Sequence, residues 1–322
     1  MASRGLIKNL CISKERGVVK NHVAHAEFLA GLGVKNDAHA GPHHRQVSLL
    51  SEDDIEAFRR KCPVDLQPGA FGENVIISDM DFSDMGLGSE IQLGEQVRLS
   101  ITQIGKQCHS RCPIFFQTGD CIMPKVGMFA RVIKGGAASA GESVKLIKRI
   151  PRSLFQCVVI TVSDRCSRKE AEDTAGPAVS ELLQKKLDAH IYMNCVIPDE
   201  KEEIAERLRH YCDGHSIDLV VTVGGTGFSP RDITPEATME VVDRLTPGLN
   251  EAMRQASLVK TPFAMLSRGI SGIRRSTLII NVPGAERAAC ENVEAILPAL
   301  HHGLSKMKGD PSDCGGKDSP PV

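Results

Sequence analysis

Along residues 5–147, apolar residues come in short alternating stretches broken by glycine. Residues 75–77, 91–93, 97–101 and 129–133 show the pattern, which predicts short half-buried strands joined by close turns. This half therefore reads as mostly β and barrel-like. Its clearest helix is 51–60: Ser51 can cap it, and Asp54 adds negative charge to the first turn, where the helix dipole favours it.

The texture changes around Lys148-Arg149-Ile150-Pro151-Arg152-Ser153, a basic stretch that contains proline. Residues 157–162 form a continuous apolar run, as expected of a strand buried on both faces. Val179, Leu182, Leu183 and Leu187 then recur at helical spacing, followed by a strand at 191–197. Ile204, Leu208, Tyr211 and Cys212 mark the next helix, and further strands are predicted at 217–223 and 277–282. Thr234-Pro235-Glu236 reads as a helix start, with Thr234 as cap and Pro235 in the first turn. Alternation of strand and helix predicts a three-layer α/β domain around a mainly parallel sheet. The expected organisation is a β domain over 1–149, a linker over 150–155, an α/β domain over 156–308, and a disordered tail over 309–322 rich in Gly, Pro, Ser and Asp.

Composition narrows the function classes. The chain has 322 residues, enough for two domains that each bury a core. Residues 1–150 carry 19 Lys and Arg against 16 Asp and Glu, and the remainder 20 against 24. Neither half has the basic excess of a nucleic-acid binder, and 4% aromatics gives little for base stacking. Eleven cysteines, an odd number in a long chain without a leader-like start, predict reduced thiols and a cytoplasmic location. No apolar run approaches the roughly 18–20 residues that span a bilayer.

The strongest chemical signal is Gly224-Gly225-Thr226-Gly227-Phe228-Ser229-Pro230-Arg231-Asp232, between a buried strand and a helix. Glycines there admit positive φ and close approach of an anion, and successive N–H groups can form a nest for it. Arg231 can bind phosphate, and Asp232 suits Mg²⁺ that bridges phosphates. The glycines alone are equally compatible with a plain turn; the Arg-Asp and Thr-Pro-Glu-Ala that follow favour a site. Three more loops follow strands: Ser163-Asp164-Arg165, Pro198-Asp199-Glu200 and Pro283-Gly284-Ala285. Taken singly, Ser163 or Asp164 reads as a helix cap, Asp199 as a cap of the next helix, and Pro283-Gly284 as a tight turn. Their common place after strands brings them to one rim, where ligands bind in open α/β sheets.

Residues 156–308 closely resemble the molybdopterin adenylyltransferase family, the type that includes the gephyrin G domain. The resemblance rests on 161–165, Ile197-Pro198-Asp199, 224–227 with Pro230-Arg231-Asp232, 234–237, Thr246-Pro247-Gly248, 262–268 and Asn281-Val282-Pro283-Gly284. It implies a trimeric α/β domain that transfers AMP from Mg-ATP to the phosphate of molybdopterin. It implies that Asp199 and Asp232 are the essential carboxylates, working with Mg²⁺ and the ATP phosphates. Ser267, with Arg268, would help hold the pterin, and Gly224, Gly225, Thr226 and Gly227 would line its phosphate or ring. One departure is Ala285-Glu286 after Pro283-Gly284, where the family often has Asn-Pro.

In the first half the informative stretch is 101–113. A predicted strand ends at Ile104, and a basic loop with Cys108 and Cys112 follows, Cys121 lying nine residues further on. Lys106, His109 and Arg111 would lower the Cys108 pKa and favour a thiolate able to carry sulfur or bind metal. Plain structural thiols, or zinc at Cys108, Cys112, Cys121 and His109, are the alternatives, although the spacing is not that of a standard zinc finger. His39, His43 and His44 form a second cluster, either an exposed turn or a metal or anion site. Residues 5–147 resemble a MOSC domain, through 37–41 with 45–48, 68–74, 93–95 and 103–106 with Cys108. That resemblance implies binding of molybdenum cofactor or delivery of sulfur, with Cys108 at the family's cysteine position.

Two modules that point to one pathway support each other. The leading expectation is an enzyme that adenylylates molybdopterin, joined to a module that binds or modifies the finished cofactor and passes it to other molybdenum-cofactor enzymes. The other reading is a non-catalytic carrier or scaffold for the pterin. Only the first predicts Mg-ATP-dependent release of pyrophosphate.

Overall fold

The computed structural model describes residues 4–61, 66–106, 115–116 and 119–311. It divides into two compact units, Met1–Leu154 and Phe155–Val322.

The first unit is built on β1 (Arg4–Ile12), β2 (Asn21–Val23), β3 (His25–Leu29), β4 (Gly33–Val34), β5 (Val47–Ser51), β6 (Val75–Ser78), β7 (Glu90–Leu93), β8 (Val97–Ile104), β9 (Met128–Lys134), β10 (Gly136–Ser139) and β11 (Ser143–Lys148). Strands pair in the order β11-β7-β8-β9-β5-β6-β1-β2, and β1 returns to pair β11, so seven of them close a barrel. Closure removes the free edges that an open sheet would expose. The predicted alternation is visible in β1, where Ile7 and Leu10 are buried while Lys8 is exposed. Leu49, Ile77, Ile91, Leu93, Leu99 and Val144 fill the interior. The helix predicted at 51–60 spans Glu52–Arg59, and the Ser51 hydroxyl caps it by accepting from the Asp53 N–H at 3.1 Å.

The second unit carries β12 (Phe155–Val162), β13 (Ala189–Ile197), β14 (Leu219–Val223), β15 (Arg244–Leu245), β16 (Ser271–Arg274) and β17 (Thr277–Val282), ordered β13-β12-β14-β17-β16-β15. The first four in this order are parallel; at one edge β16 pairs antiparallel with β17, and β15 antiparallel with β16. All eight residues of β12 are buried, as the continuous apolar run predicts. Val159, Val221 and Val223 face a core shared with Val179, Met253, Val293 and Ile296, from three helices on one side of the sheet. Thr222 and Asn281 point to the opposite face, where Asn281 Nδ2 donates to Thr238 Oγ1 on the Thr234–Val241 helix. The chain leaves β12 for β13 on one side and returns to β14 on the other. This reversal opens a crevice beyond the carboxyl ends of β12 and β14.

Candidate functional site

Four loops meet at that crevice. Gly224, directly after β14, has φ +108° and donates its N–H to Val282 O at the end of β17. A Cβ on Gly224 would lie 2.4 Å from Val162 O at the end of β12, so only glycine lets the three strand ends close up. Gly225 follows at φ +62°, and a Cβ there would meet Thr234 Oγ1 at 2.2 Å and Asp199 Oδ1 at 3.1 Å. Pro283-Gly284 passes beside them, with the Gly284 Cα 3.8 Å from that Gly224 Cβ position.

The carboxylates interlock through the backbone. The Asp164 N–H donates to Asp199 Oδ2 at 2.7 Å, and the Asp199 N–H donates back to Asp164 Oδ1 at 3.1 Å. Asp199 is therefore not the cap of the following helix, whose first turn has no side-chain cap. Ser163 does cap, accepting from the Cys166 N–H at 3.2 Å while its own N–H donates to Ile197 O. Burial pushes the Asp199 carboxyl above its ordinary range, and the charges of Asp164 and Asp232 push the same way. Asp232 is held by the Ser229 N–H at 2.8 Å, and its N–H closes the turn onto Ser229 O.

The basic residues divide by role. Arg231 grips Asp164 with two bonds of 2.9 Å each and reaches Glu200 at 2.8 Å. Arg268 is turned onto the glycine loop: its guanidinium donates to Gly227 O, to Asp232 O and to Glu236, and its N–H to Thr226 O. It braces the loop that presents Asp232. Arg165 lies exposed on the short Asp164–Ser167 helix, and Ser267, half-buried, ends the Pro262–Leu266 turn beside Gly269. The structure thus brings Asp164, Asp199, Asp232, Arg231 and the glycines together. Glu200 joins them as a partner of Arg231 and Glu236 as a partner of Arg268; only the fold reveals those roles.

Thr234 corrects the sequence reading. It lies inside the helix rather than capping it, because its N–H is drawn to Gly225 O at 3.1 Å. Its hydroxyl is fully buried and has no hydrogen-bond partner among the described residues. That oxygen and Asp199 Oδ1 border the same small space above Gly225. Among the described residues, no three His, Cys, Asp or Glu side chains are grouped so that they could hold a metal ion by themselves. Mg²⁺ does not require such a cage, since it commonly takes one or two carboxylates and completes its shell with substrate phosphates and water. The facing Asp199 and Asp232 charges, with an orphaned hydroxyl beside Asp199, fit that demand.

In the first unit, the Cys108, His109, Arg111 and Cys112 of the predicted thiol site lie outside the described residues. Cys121 is buried in a cluster with Ile76, Met123 and Phe129. The histidine loop is anchored by a buried ion pair: Lys20 Nζ donates to both Asp37 oxygens, at 2.8 and 2.7 Å, with both side chains almost fully inaccessible. Asp37 also accepts from the N–H groups of Ser13 and His39 and from Asn74. Burial alone would raise its pKa, but His39 and Lys20 hold the carboxyl far below the usual carboxylate range. Sequence reasoning missed Lys20, which stands alone in a loop with no pattern around it.

Comparison with known proteins places both units. Residues 158–302 match the family model described as "probable molybdopterin binding domain", and residues 36–145 match the MOSC domain model. The molybdopterin adenylyltransferase of Helicobacter pylori J99 is 41% identical over 153 residues, which is 47% of this chain and 87% of that protein. The molybdenum cofactor synthesis protein cinnamon of Drosophila melanogaster is 37% identical over 154 residues, but the match spans only 26% of its length. A solved molybdopterin biosynthesis enzyme from Thermus is 45% identical, covers 50% of this chain and 100% of its own, and aligns with a TM-score of 0.47.

Proposed function

Because the chain belongs to the molybdopterin adenylyltransferase family and carries a MOSC domain ahead of that match, we propose that its C-terminal half adenylylates molybdopterin. The observation that carries this reading is the meeting of Asp164, Asp199 and Asp232 with the Gly224-Gly225 turn at the sheet's reversal point.

In the proposed reaction an oxygen of the molybdopterin phosphate attacks the α-phosphorus of ATP, the bond to the bridging oxygen breaks, and pyrophosphate leaves. A phosphate oxygen is already a competent nucleophile, so no buried base is required. The protein's task is placement and charge balance. Asp199 and Asp232 would hold Mg²⁺, which supplies neutralisation of charge on the phosphates. Gly224, Gly225 and Gly227 let the backbone approach an anion, and Pro283-Gly284 closes the same wall. Arg231, bound to Asp164 and Glu200 here, exchanges one of these partners for a phosphate oxygen. Ser267 lies on the loop that would meet the pterin, braced through Arg268.

The N-terminal unit is read as a cofactor-binding or sulfur-handling module, with Cys108 as its candidate thiol, that passes molybdenum cofactor to other enzymes. The working assembly is read as a cytoplasmic homotrimer formed through the C-terminal half; among the described residues no helix is long and apolar enough to cross a membrane. Incubation of the full chain with molybdopterin and Mg-ATP tests the reaction. Stoichiometric release of pyrophosphate with AMP on the pterin is expected. Tight pterin binding with no pyrophosphate would replace the enzyme with a carrier.

A further inference from the structure

On the face of the parallel sheet that meets the Thr234–Val241 helix, buried hydroxyls are paired. Asn281 Nδ2 donates to Thr222 Oγ1 at 2.8 Å and to Thr238 Oγ1 at 2.9 Å, one turn further along that helix. Thr234 is the exception: its Oγ1 is inaccessible to water and has no hydrogen-bond partner among the described residues. The usual local remedies do not reach it. A threonine ahead of a helix caps the first turn, and one inside a helix donates to the carbonyl a turn back. Thr234 begins its helix with its N–H drawn to Gly225 O, and its hydroxyl forms neither bond. A buried hydroxyl without a bond destabilises the fold, and valine has nearly the same shape without that cost. Packing therefore does not account for the oxygen.

The acceptor beside it is unfilled as well. Asp199 Oδ2 takes the Asp164 N–H at 2.7 Å, while Oδ1 accepts no hydrogen bond among the described residues. Thr234 Oγ1 and Asp199 Oδ1 lie 2.2 and 3.1 Å from one point, the place where a Cβ on Gly225 would stand. Glycine keeps that place clear; any other residue would wedge between the donor and the carboxylate. Asp164 and Asp232 repel a charge on Asp199, and Arg231 favours it. A donor to Oδ1 would favour the charged form further. An unmet donor and an unmet acceptor thus stand side by side at the rim, where the four loops meet.

We propose that Thr234 is a positioning residue for Asp199: as a divalent cation draws the carboxylate, the Thr234 hydroxyl donates to Oδ1 and holds Asp199 ionised and turned to the cation. The proposal rests on the reading of Asp199 and Asp232 as a Mg²⁺ site for adenylyl transfer. Carboxylates that bind metals are commonly hydrogen-bonded from behind, and loss of such a partner weakens metal binding about 10–100-fold. Here the partner stands ready without a bond, so a small turn of the carboxylate joins the two. The cost of the unmet hydroxyl is then recovered as the bond closes, which couples the helix start to the metal.

The test compares the full chain with Thr234→Val, Thr234→Ser and Asp199→Asn. Mn²⁺ serves as the probe, with α,β-methylene-ATP, which cannot release pyrophosphate. Binding is read from the enhancement of water-proton relaxation as the Mn²⁺ nucleotide becomes protein-bound, and melting is followed separately in EDTA. Thr234→Val is expected to melt at or above the wild-type temperature in EDTA, because an unmet buried donor is gone. Its Mn²⁺ affinity is expected to fall about tenfold or more, while Thr234→Ser, which keeps the hydroxyl, stays within about threefold of wild type. Equal Mn²⁺ affinity in wild type and Thr234→Val would overturn the proposal. So would a Thr234→Val chain that melts well below wild type in EDTA or does not fold, since the hydroxyl would then serve the fold. Thr234→Ser as weak as Thr234→Val would overturn it too. Asp199→Asn separates the two readings. If it loses Mn²⁺ while Thr234→Val does not, the role of Thr234 alone fails; if it binds Mn²⁺ like wild type, the metal site at the rim fails and the proposal falls with it.

Discussion

The rim of the parallel sheet gathers three carboxylates, while the loop over residues 37–45 is organised around one carboxylate in a buried ion pair. On the rim, Asp164, Asp199 and Asp232 are each fixed by a backbone N–H group, and Asp164 is also paired with Arg231. On the barrel loop, the buried Asp37 carboxylate pairs with Lys20 and also accepts from Ser13, His39 and Asn74. The difference teaches that a carboxylate fixed by backbone N–H groups at a strand-end rim can serve a ligand site, while one paired with a buried ammonium serves the fold.

The largest effect should come from breaking the anchor of the barrel loop. Asp37→Ala leaves the Lys20 ammonium buried and unpaired, which costs about 3–5 kcal/mol. Urea unfolding of the full chain should show the N-terminal transition move to lower denaturant while adenylyl transfer persists. Equal loss of both would mean that the halves are not energetically separate. Next is Asp232→Ala, expected to lower adenylyl transfer by about 10²–10³, or ~3–4 kcal/mol, as for other electrostatic stabilisers. Thermal stability should change little, because Asp232 closes only an exposed turn. Gly224→Ala forces a Cβ against Val162 O at positive φ and should destabilise the C-terminal half by about 1–3 kcal/mol. Lowered melting with unchanged N-terminal unfolding would confirm that the glycine sets the strand ends.

The smallest effect concerns pH. The Asp199 carboxyl sits above its ordinary 3.8 in the folded chain, so folding favours its protonated form. Its contribution to stability is intact below 3.8 and is lost as pH rises through the raised folded value. Asp199→Asn should therefore melt at a temperature close to wild type in acid and slightly above it at neutral pH, while losing activity. A variant less stable than wild type at neutral pH would show that the carboxylate serves the fold instead of the reaction.

Period and punctuation made most of the architecture legible. The 157–162 run and the alternating barrel strands carry their burial in their own residues, so a local pattern sufficed. The four loops after strands were readable as one rim because parallel topology sends strand ends to one side. What was not legible depended on contacts between distant segments. The Lys20–Asp37 pair joins positions on either side of β2, β3 and β4, and Arg231 meets Asp164 across 67 positions. Thr234 looked like a cap because Thr-Pro-Glu is the usual signature; the pull of Gly225 O on its N–H moved it one place into the helix.

The most direct test of the C-terminal assignment is label transfer from α-³²P-ATP to molybdopterin by the full chain, wild type beside Asp232→Ala, under single-turnover conditions with Mg²⁺. The account predicts label on the pterin, one pyrophosphate released per label, and a rate in the variant lower by at least about two orders of magnitude. Label transfer that survives Asp232→Ala at the wild-type rate would contradict the carboxylate chemistry, and absence of label from the wild-type reaction, with pterin bound, would contradict the enzyme itself.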